Sequence, residues 1–377
     1  MEGLAYFKEM APTLYNPEVK AWKDSGGRVI GTQCSNIPEE IIHAAGMLPI
    51  RLRAPGLPDT SRADSHLHRI NCSYTRSVLE YLLRGEYDFM DGVVATNTCD
   101  HHLRLVSELE DKGRFTFFHY FQMIHSSTPG AREWFLLELK KLKQHLEEVF
   151  EMHISDADVK RSIFVYNRTR RLMAQLNDMR RQDPPPISGT EYMQIALTGM
   201  LIPREIFNDR LEALLAEMGK QPSDRGQSPR LLLLGGGCDS PEFVDFIESR
   251  GACVTADNMC YGLRHYMTFI DEEADDPLRA ITDRYFDRIP CPSIIDGFDH
   301  GYSILRQIMK DANIDGVINA RLKFCDHWNG YSVLLRGALQ RDEDLDVPVL
   351  DLEREYNTAG SGQISTRVQA FLEMLNA

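Results

Sequence analysis

Between residues 28 and 122, short apolar runs alternate with amphipathic stretches. Runs rich in Val, Ile, Leu and Phe at 28–32, 48–52, 91–96 and 114–119 predict strands, and the stretches at 38–45 and 74–83 predict helices. Such alternation implies parallel strands joined by crossover helices, a doubly wound layout. From 131 to 219 the period changes. Phe135, Leu139, Leu142, Leu146 and Val149 recur at helical spacing, followed by Val159, Ile163, Tyr166, Met173 and Leu176. This predicts a helical insert, interrupted at Asp183-Pro-Pro-Pro186 and closed by a linker over 219–229. After Arg230 the α/β rhythm returns, with strands expected at 231–234, 253–256, 315–320 and 347–352 and a last helix near 366–375. The expected architecture is therefore α/β, with two related doubly wound parallel-sheet domains. Its expected parts are an N-terminal helical segment (1–27), a first α/β domain (28–130), the helical insert and linker (131–226) and a second α/β domain (227–377).

Three short cysteine phrases occur twice, in the same order. The first half carries Gly31-Thr-Gln-Cys34-Ser-Asn-Ile-Pro38-Glu39, then Cys72-Ser-Tyr-Thr-Arg76, then Asp91-Gly-Val-Val leading to Cys99-Asp100-His101. The second carries Gly235-Gly-Gly-Cys238-Asp-Ser-Pro241-Glu242, then Cys260-Tyr-Gly-Leu-Arg264, then Asp315-Gly-Val-Ile leading to Cys325-Asp326-His327. The offset between partners grows from 204 residues (Cys34 to Cys238) to 226 (Cys99 to Cys325), which an insertion over 271–300 would absorb. Cys34, Cys99, Cys238 and Cys325 all follow predicted strands, where open parallel sheets bind their ligands. Two duplicated halves facing one another would bring these thiols to one cleft.

At 377 residues the chain is long enough for two domains. A net charge of −14 argues against a nucleic-acid groove. No apolar run approaches a membrane span, and MEGLAYFKEM lacks a signal-peptide core, so a cytoplasmic protein is expected. Disulfides rarely persist there, so cysteines at motif positions read as metal-binding or catalytic.

Each candidate has a plainer counterpart. Gly235-x-Gly237-x-x-Ser240, with Asp257 some twenty residues on, has the outline of a dinucleotide turn, but its third glycine is serine and Cys238 lies within it. Cys34, Cys72, Cys99 and Cys325 form the sharper set. Single, widely separated cysteines suit a cluster held between domains, although ordinary reduced thiols at strand ends would look the same. His101 and His327 follow Cys-Asp pairs and could deliver protons; surface histidines near a helix start are commoner. The arginines at 168, 170, 171, 180 and 181 read as a solvated helix face or, alternatively, a dock for phosphates.

Cys34-Ser-Asn-Ile-Pro-Glu-Glu-Ile-Ile-His-Ala-Ala-Gly-Met-Leu-Pro-Ile-Arg-Leu, Cys72-x-x-x-Arg76-Ser77, Thr98-Cys99-Asp100, Lys323-Phe-Cys325-Asp326 and Gly362-Gln-x-x-Thr-Arg367 occur in this order. This set resembles the 2-hydroxyacyl-CoA dehydratase and benzoyl-CoA reductase family, from about residue 28 onward. Cys325-Asp-His-Trp-Asn-Gly330 is similar to the smaller active-site subunit of the ATP-dependent benzoyl-CoA reductases; dehydratases generally carry proline where His327 stands. The resemblance implies flavodoxin-like domains with a [4Fe-4S] cluster in the cleft between them, and it also admits a linked double-cubane form. It implies Cys72, Cys99 and Cys325 as iron ligands, Cys34 as a further ligand or neighbouring thiol, and Cys238 and Cys260 as non-ligands. His327 is the expected proton donor. Implied partners are a second, related active-site subunit, two ATP-hydrolysing activator subunits with their own cluster, and ferredoxin upstream. ATP would bind those activators and not this chain. The implied reaction adds electrons and protons to an aromatic acyl-CoA, yielding a cyclic diene. A radical dehydratase subunit, a non-catalytic electron-transfer or scaffold chain, and a nicotinamide oxidoreductase are the alternatives.

Overall fold

Two parallel sheets organise the chain in the computed structural model, which describes residues 2–57, 59–218, 228–357 and 362–376. The first contains β1 (Val29–Thr32), β2 (Leu48–Arg51), β3 (Gly92–Thr96) and β4 (Phe117–Phe121), in the order β2-β1-β3-β4. The second contains β5 (Arg230–Gly235), β6 (Cys253–Met259), β7 (Gly316–Leu322) and β8 (Val349–Arg354), in the order β6-β5-β7-β8. Every pairing is parallel. The two orders are the same pattern, so the duplication read from the cysteine phrases extends to the topology. In each sheet the strand order reverses at the first strand, which opens a crevice between the carboxyl ends of β1 and β3, and of β5 and β7.

β1, β3 and β5 are buried along their whole length and β7 everywhere but at Arg321, as expected where helices cover both faces. Edges differ from expectation for local reasons. Residues 114–116 feed a turn in which the amides of Thr116 and Phe117 both donate to Asp91 O, so β4 begins at Phe117. β6 continues past Ala256 through Asp257 and Asn258, because Arg180 and Arg264 satisfy these buried polar side chains.

Helices at Pro129–Val149, Asp156–Arg180, Gly189–Thr198 and Arg204–Met218 lie between the sheets in sequence. Two begin with reciprocal capping boxes, Ser155 with Asp158 and Ser188 with Glu191. Most of the linker expected over 219–229 lies outside the described residues. One continuous apolar core runs from Val93 and Ala95 of β3 through Ile195, Leu197 and Phe207 to Leu231 and Leu233 of β5. The halves are therefore packed as one body.

The arginine stripe is a solvated face only in part. Arg170 is buried against Glu40, and Arg180 is buried 2.6 Å from Asp257. Arg168 pairs with Asp209 and Glu212, and Arg171 with Glu272. Arg170 and Arg180 thus meet carboxylates of the two sheet domains, which the charge pattern of a single helix does not reveal. They are spent on holding the halves, not on a phosphate.

Candidate metal centre

The loops at the carboxyl ends of β1, β3, β6 and β7 converge on one cavity of about 100 Å³. Six of the eight cysteines line it: Cys34, Cys72, Cys99, Cys260, Cys291 and Cys325. All are free thiols. Cys34 follows β1 by two residues and Cys260 directly follows β6. Cys72, Cys99 and Cys325 each occupy the N-cap of a helix: Ser73–Leu83, Asp100–Lys112 and Asp326–Leu339. A helix start presents free amides and a positive dipole end, which favours the thiolate over the thiol. The amide of His102 lies 3.5 Å from Cys99 Sγ and donates to it. Phe324, just before Cys325, holds a left-handed backbone (φ 66°), an uncommon conformation that aims the next residue into the cavity.

Two groups emerge among the six. Cys72, Cys99 and Cys325 cap helices, whereas Cys34, Cys260 and Cys291 sit on loops. Burial pushes Cys72 and Cys99 upward, Cys260 to about 11 and Cys325 to about 12. Without a bound cation these thiols stay protonated; coordination deprotonates them. Arg51 and Arg264, both buried, oppose the burial effect at Cys260. Arg264 donates to Asn258 and has no carboxylate partner among the described residues, so its charge is left to face the thiols.

The donor set fits a sulfur-ligated cluster. No three His, Cys, Asp or Glu side chains among the described residues close around the point a single ion would need. A cluster spreads its ligands over several metal atoms and holds them farther apart. Soft thiolates in a largely apolar cavity, with buried guanidinium groups beside them, match such an anionic group.

His101 and His327 line the cavity and also its outer mouth, a second space of about 390 Å³ reaching Asp100, Asp326 and His125. His101 Nδ1 accepts the Cys72 amide at 3.2 Å, leaving Nε2 to carry the ring proton. The His327 ring stacks with His125 at 6.4 Å, and burial followed by His125 lowers its pKa. His327 is thus at the site, half-buried and beside the N-cap thiol of Cys325.

One expectation changes. Cys238, the repeat partner of Cys34, lies in the core and not on the cavity wall. Cys260, set aside by the resemblance, is on the wall with Cys291, which has no repeat partner. The signal for Cys291 was available: Ile289-Pro-Cys291-Pro292 fixes a thiol in a stiff turn inside the 271–300 insertion. The glycine turn after β5 serves packing. A Cβ on Gly236 would meet Trp328 Nε1 at 2.5 Å, one on Gly235 would meet Ala320 O at 2.3 Å, and Asp257 is already bonded to Arg180. That leaves no acid for a ribose hydroxyl.

A family model described as 2-hydroxyglutaryl-CoA dehydratase, D-component, matches residues 34–375. The chain is 27% identical to YjiM of Escherichia coli (strain K12), covering 94% of this chain and 93% of the relative. It is 24% identical to the beta subunit of lactoyl-CoA dehydratase from Anaerotignum propionicum (98% and 99% covered). It is also 27% identical to a benzoyl-CoA reductase subunit from Thauera aromatica (81% of each). No helix among the described residues is long and apolar enough to cross a membrane.

Proposed function

Because the chain belongs to the 2-hydroxyglutaryl-CoA dehydratase D-component family, we propose that it is the cluster-bearing subunit of an enzyme complex that reduces an acyl-CoA, with an aromatic acyl group as the favoured substrate. The observation that carries this reading is the six-thiol cavity at the paired carboxyl ends of two related sheets. Cys72, Cys99 and Cys325 would hold one [4Fe-4S] unit, and Cys34, Cys260 and Cys291 a second, linked as a double cubane. When bound, such a group supplies electrons one at a time at low potential, down to about −700 mV.

The protein's own residues supply the rest. The N-cap positions of Cys72, Cys99 and Cys325 stabilise thiolates, while Arg51 and Arg264, which line the same cavity, add positive charge near Cys260. Trp328, Tyr74 and Tyr261 line the same cavity with large buried rings and exclude water, which would otherwise quench a radical. His327 and His101 stand at the mouth, where a proton can be passed inward from solvent. We assign proton delivery to His327, which faces both spaces.

Two ligand sets favour the reductase over a radical dehydratase. A dehydratase recycles one electron per turnover, whereas a reductase consumes two. Two thiol triplets suit storage of both. The relatives named above are subunits, which supports a multi-subunit complex; the partners proposed with it are a second, related active-site subunit and ATP-hydrolysing activators fed by ferredoxin. The expected setting is cytoplasmic.

The test counts electrons. The anaerobic complex is supplied with ATP, a titrated reductant and either benzoyl-CoA or a 2-hydroxyacyl-CoA. Two electrons consumed per diene formed supports the proposal. Catalytic, electron-neutral loss of water from the hydroxyacyl-CoA assigns the chain to the dehydratases instead.

A further inference from the structure

A separate cavity of about 260 Å³ adjoins the thiol cavity and shares Cys291 with it. It lies between the helices Pro129–Val149 and Pro277–Asp287 and the loop that follows the second. Arg288 and Asn36 line it at 2% and 6% exposure. Arg288 Nη2 donates to Asn36 Oδ1, which fixes the amide so that its NH₂ is left over. Arg288 Nη1 and Asn36 Nδ2 then have no partner.

Arg53, Arg170 and Arg180 each meet a buried carboxylate. Among the described residues none pairs with Arg288, whose flat face rests 4.7 Å from the Tyr285 ring centroid. Arg264 and Arg284 are also buried without a carboxylate, but they satisfy their donors on Asn258 and on backbone carbonyls, whereas Arg288 Nη1 has no partner. A buried cation with unused donors is costly unless something with acceptor oxygens arrives. The remaining wall is mostly apolar, formed by Met123, Phe135, Phe286 and Ile294. Asp287, at the rim, is held by Arg132 at 3.0 Å.

We propose that this cavity binds the acyl end of a small carboxylic acid or thioester. Its carbonyl or carboxylate oxygens accept from Arg288 Nη1 and Asn36 Nδ2, and its apolar body lies against Phe135, Tyr285 and Phe286. The space suits an acyl group and not a nucleotide, since pockets for larger ligands begin near 300 Å³. Only the link from bound acyl group to redox chemistry rests on the function proposed above, through the shared wall at Cys291.

The test is calorimetric titration of anaerobically purified complex with benzoate, benzoyl-CoA and CoA alone, with iron and sulfide assayed on the same samples. Binding of benzoate identifies the carboxylate as sufficient; binding of benzoyl-CoA alone identifies the thioester. Either result must weaken at least tenfold in Arg288→Met. Asn36→Asp separates binding from folding, because the new carboxylate pairs with Arg288. It should raise the melting temperature and abolish benzoate or benzoyl-CoA binding. Equal binding of CoA alone, or undiminished binding in Asn36→Asp, overturns the proposal. Loss of iron in Arg288→Met with binding intact also overturns it, by assigning Arg288 to the thiol cavity. Low iron in the wild type with normal ligand binding would instead count against the cluster and leave this site standing.

Discussion

Asp239→Ala should loosen the join between the two halves and, through it, the thiol cavity. Arg53 follows β2 and is 1% exposed; Asp239 follows β5 and is 5% exposed. Arg53 Nε donates to Asp239 Oδ2 at 2.7 Å, and its other nitrogens donate to Ala11 O and Asp239 O at 2.8 and 3.0 Å. Tyr356 Oη donates to the same carboxylate at 2.7 Å, while the Tyr356 amide donates to Ser73 Oγ, beside Cys72. Removing the carboxylate strands a buried guanidinium, which costs about 3–5 kcal/mol. Asp239→Asn keeps an acceptor but loses the charge, so its cost should be about 2 kcal/mol, as for a charge-assisted bond. Adding Arg53→Met to Asp239→Ala should recover stability, because the uncompensated cation is gone. Urea unfolding followed by circular dichroism measures all three, and iron content should fall with Asp239→Ala as Ser73 and Cys72 lose their anchor. A cost below about 1 kcal/mol for Asp239→Ala would refute the reasoning. So would a double variant less stable than Asp239→Ala alone.

Gly236→Ala forces Trp328 to move, since the new Cβ would lie 2.5 Å from its Nε1; the cost should be about 1–3 kcal/mol by denaturation, with reduced iron because Trp328 sits one turn from Cys325. Cys238→Ser should leave iron content unchanged while costing about 1–3 kcal/mol for a buried hydroxyl; iron loss would restore Cys238 to the site. Burial, then His145, lowers His119 from 6.5 to about 4. The unfolded chain therefore binds a proton below pH 6.5 that the folded chain refuses until about pH 4, so stability falls as pH drops through this window and levels off below it. The full effect is about 3 kcal/mol, and His119→Phe should flatten the stability profile between pH 6.5 and 4; an unchanged slope would contradict the assignment.

Much of this arrangement was legible from residue order. Alternating apolar runs give the strands, and the repeated cysteine phrases anticipate two sheets of identical order. Cys99 and Cys325 are predictable because their position, between a strand and a helix, is set by local pattern. Cys291 was missed because it has no repeat partner, and its only local signal is the pair of prolines that flank it inside an insertion. Cys238 misled for the opposite reason: it keeps the repeat position, but the turn after β5 rotates its thiol into the core. The arginine stripe shows the same limit. Helical spacing says which residues share a face; only the packed sheets, with Glu40 and Asp257, say that part of this face is buried. Arg288 and Asn36 belong to no motif, and their unused donors become visible only in three dimensions.

The central claim is that six thiols from both halves hold one linked iron–sulfur group. Iron and acid-labile sulfide should be measured on anaerobically purified protein, co-expressed with its partner subunits, in wild type, Cys99→Ser, Cys325→Ser, Cys260→Ser and Cys291→Ser. The account predicts two cubanes' worth of iron in the wild type and a loss of about half or more in every variant. Full iron in Cys260→Ser and Cys291→Ser would reduce the site to a single three-thiol cluster. Folded, iron-free wild type would contradict the account altogether.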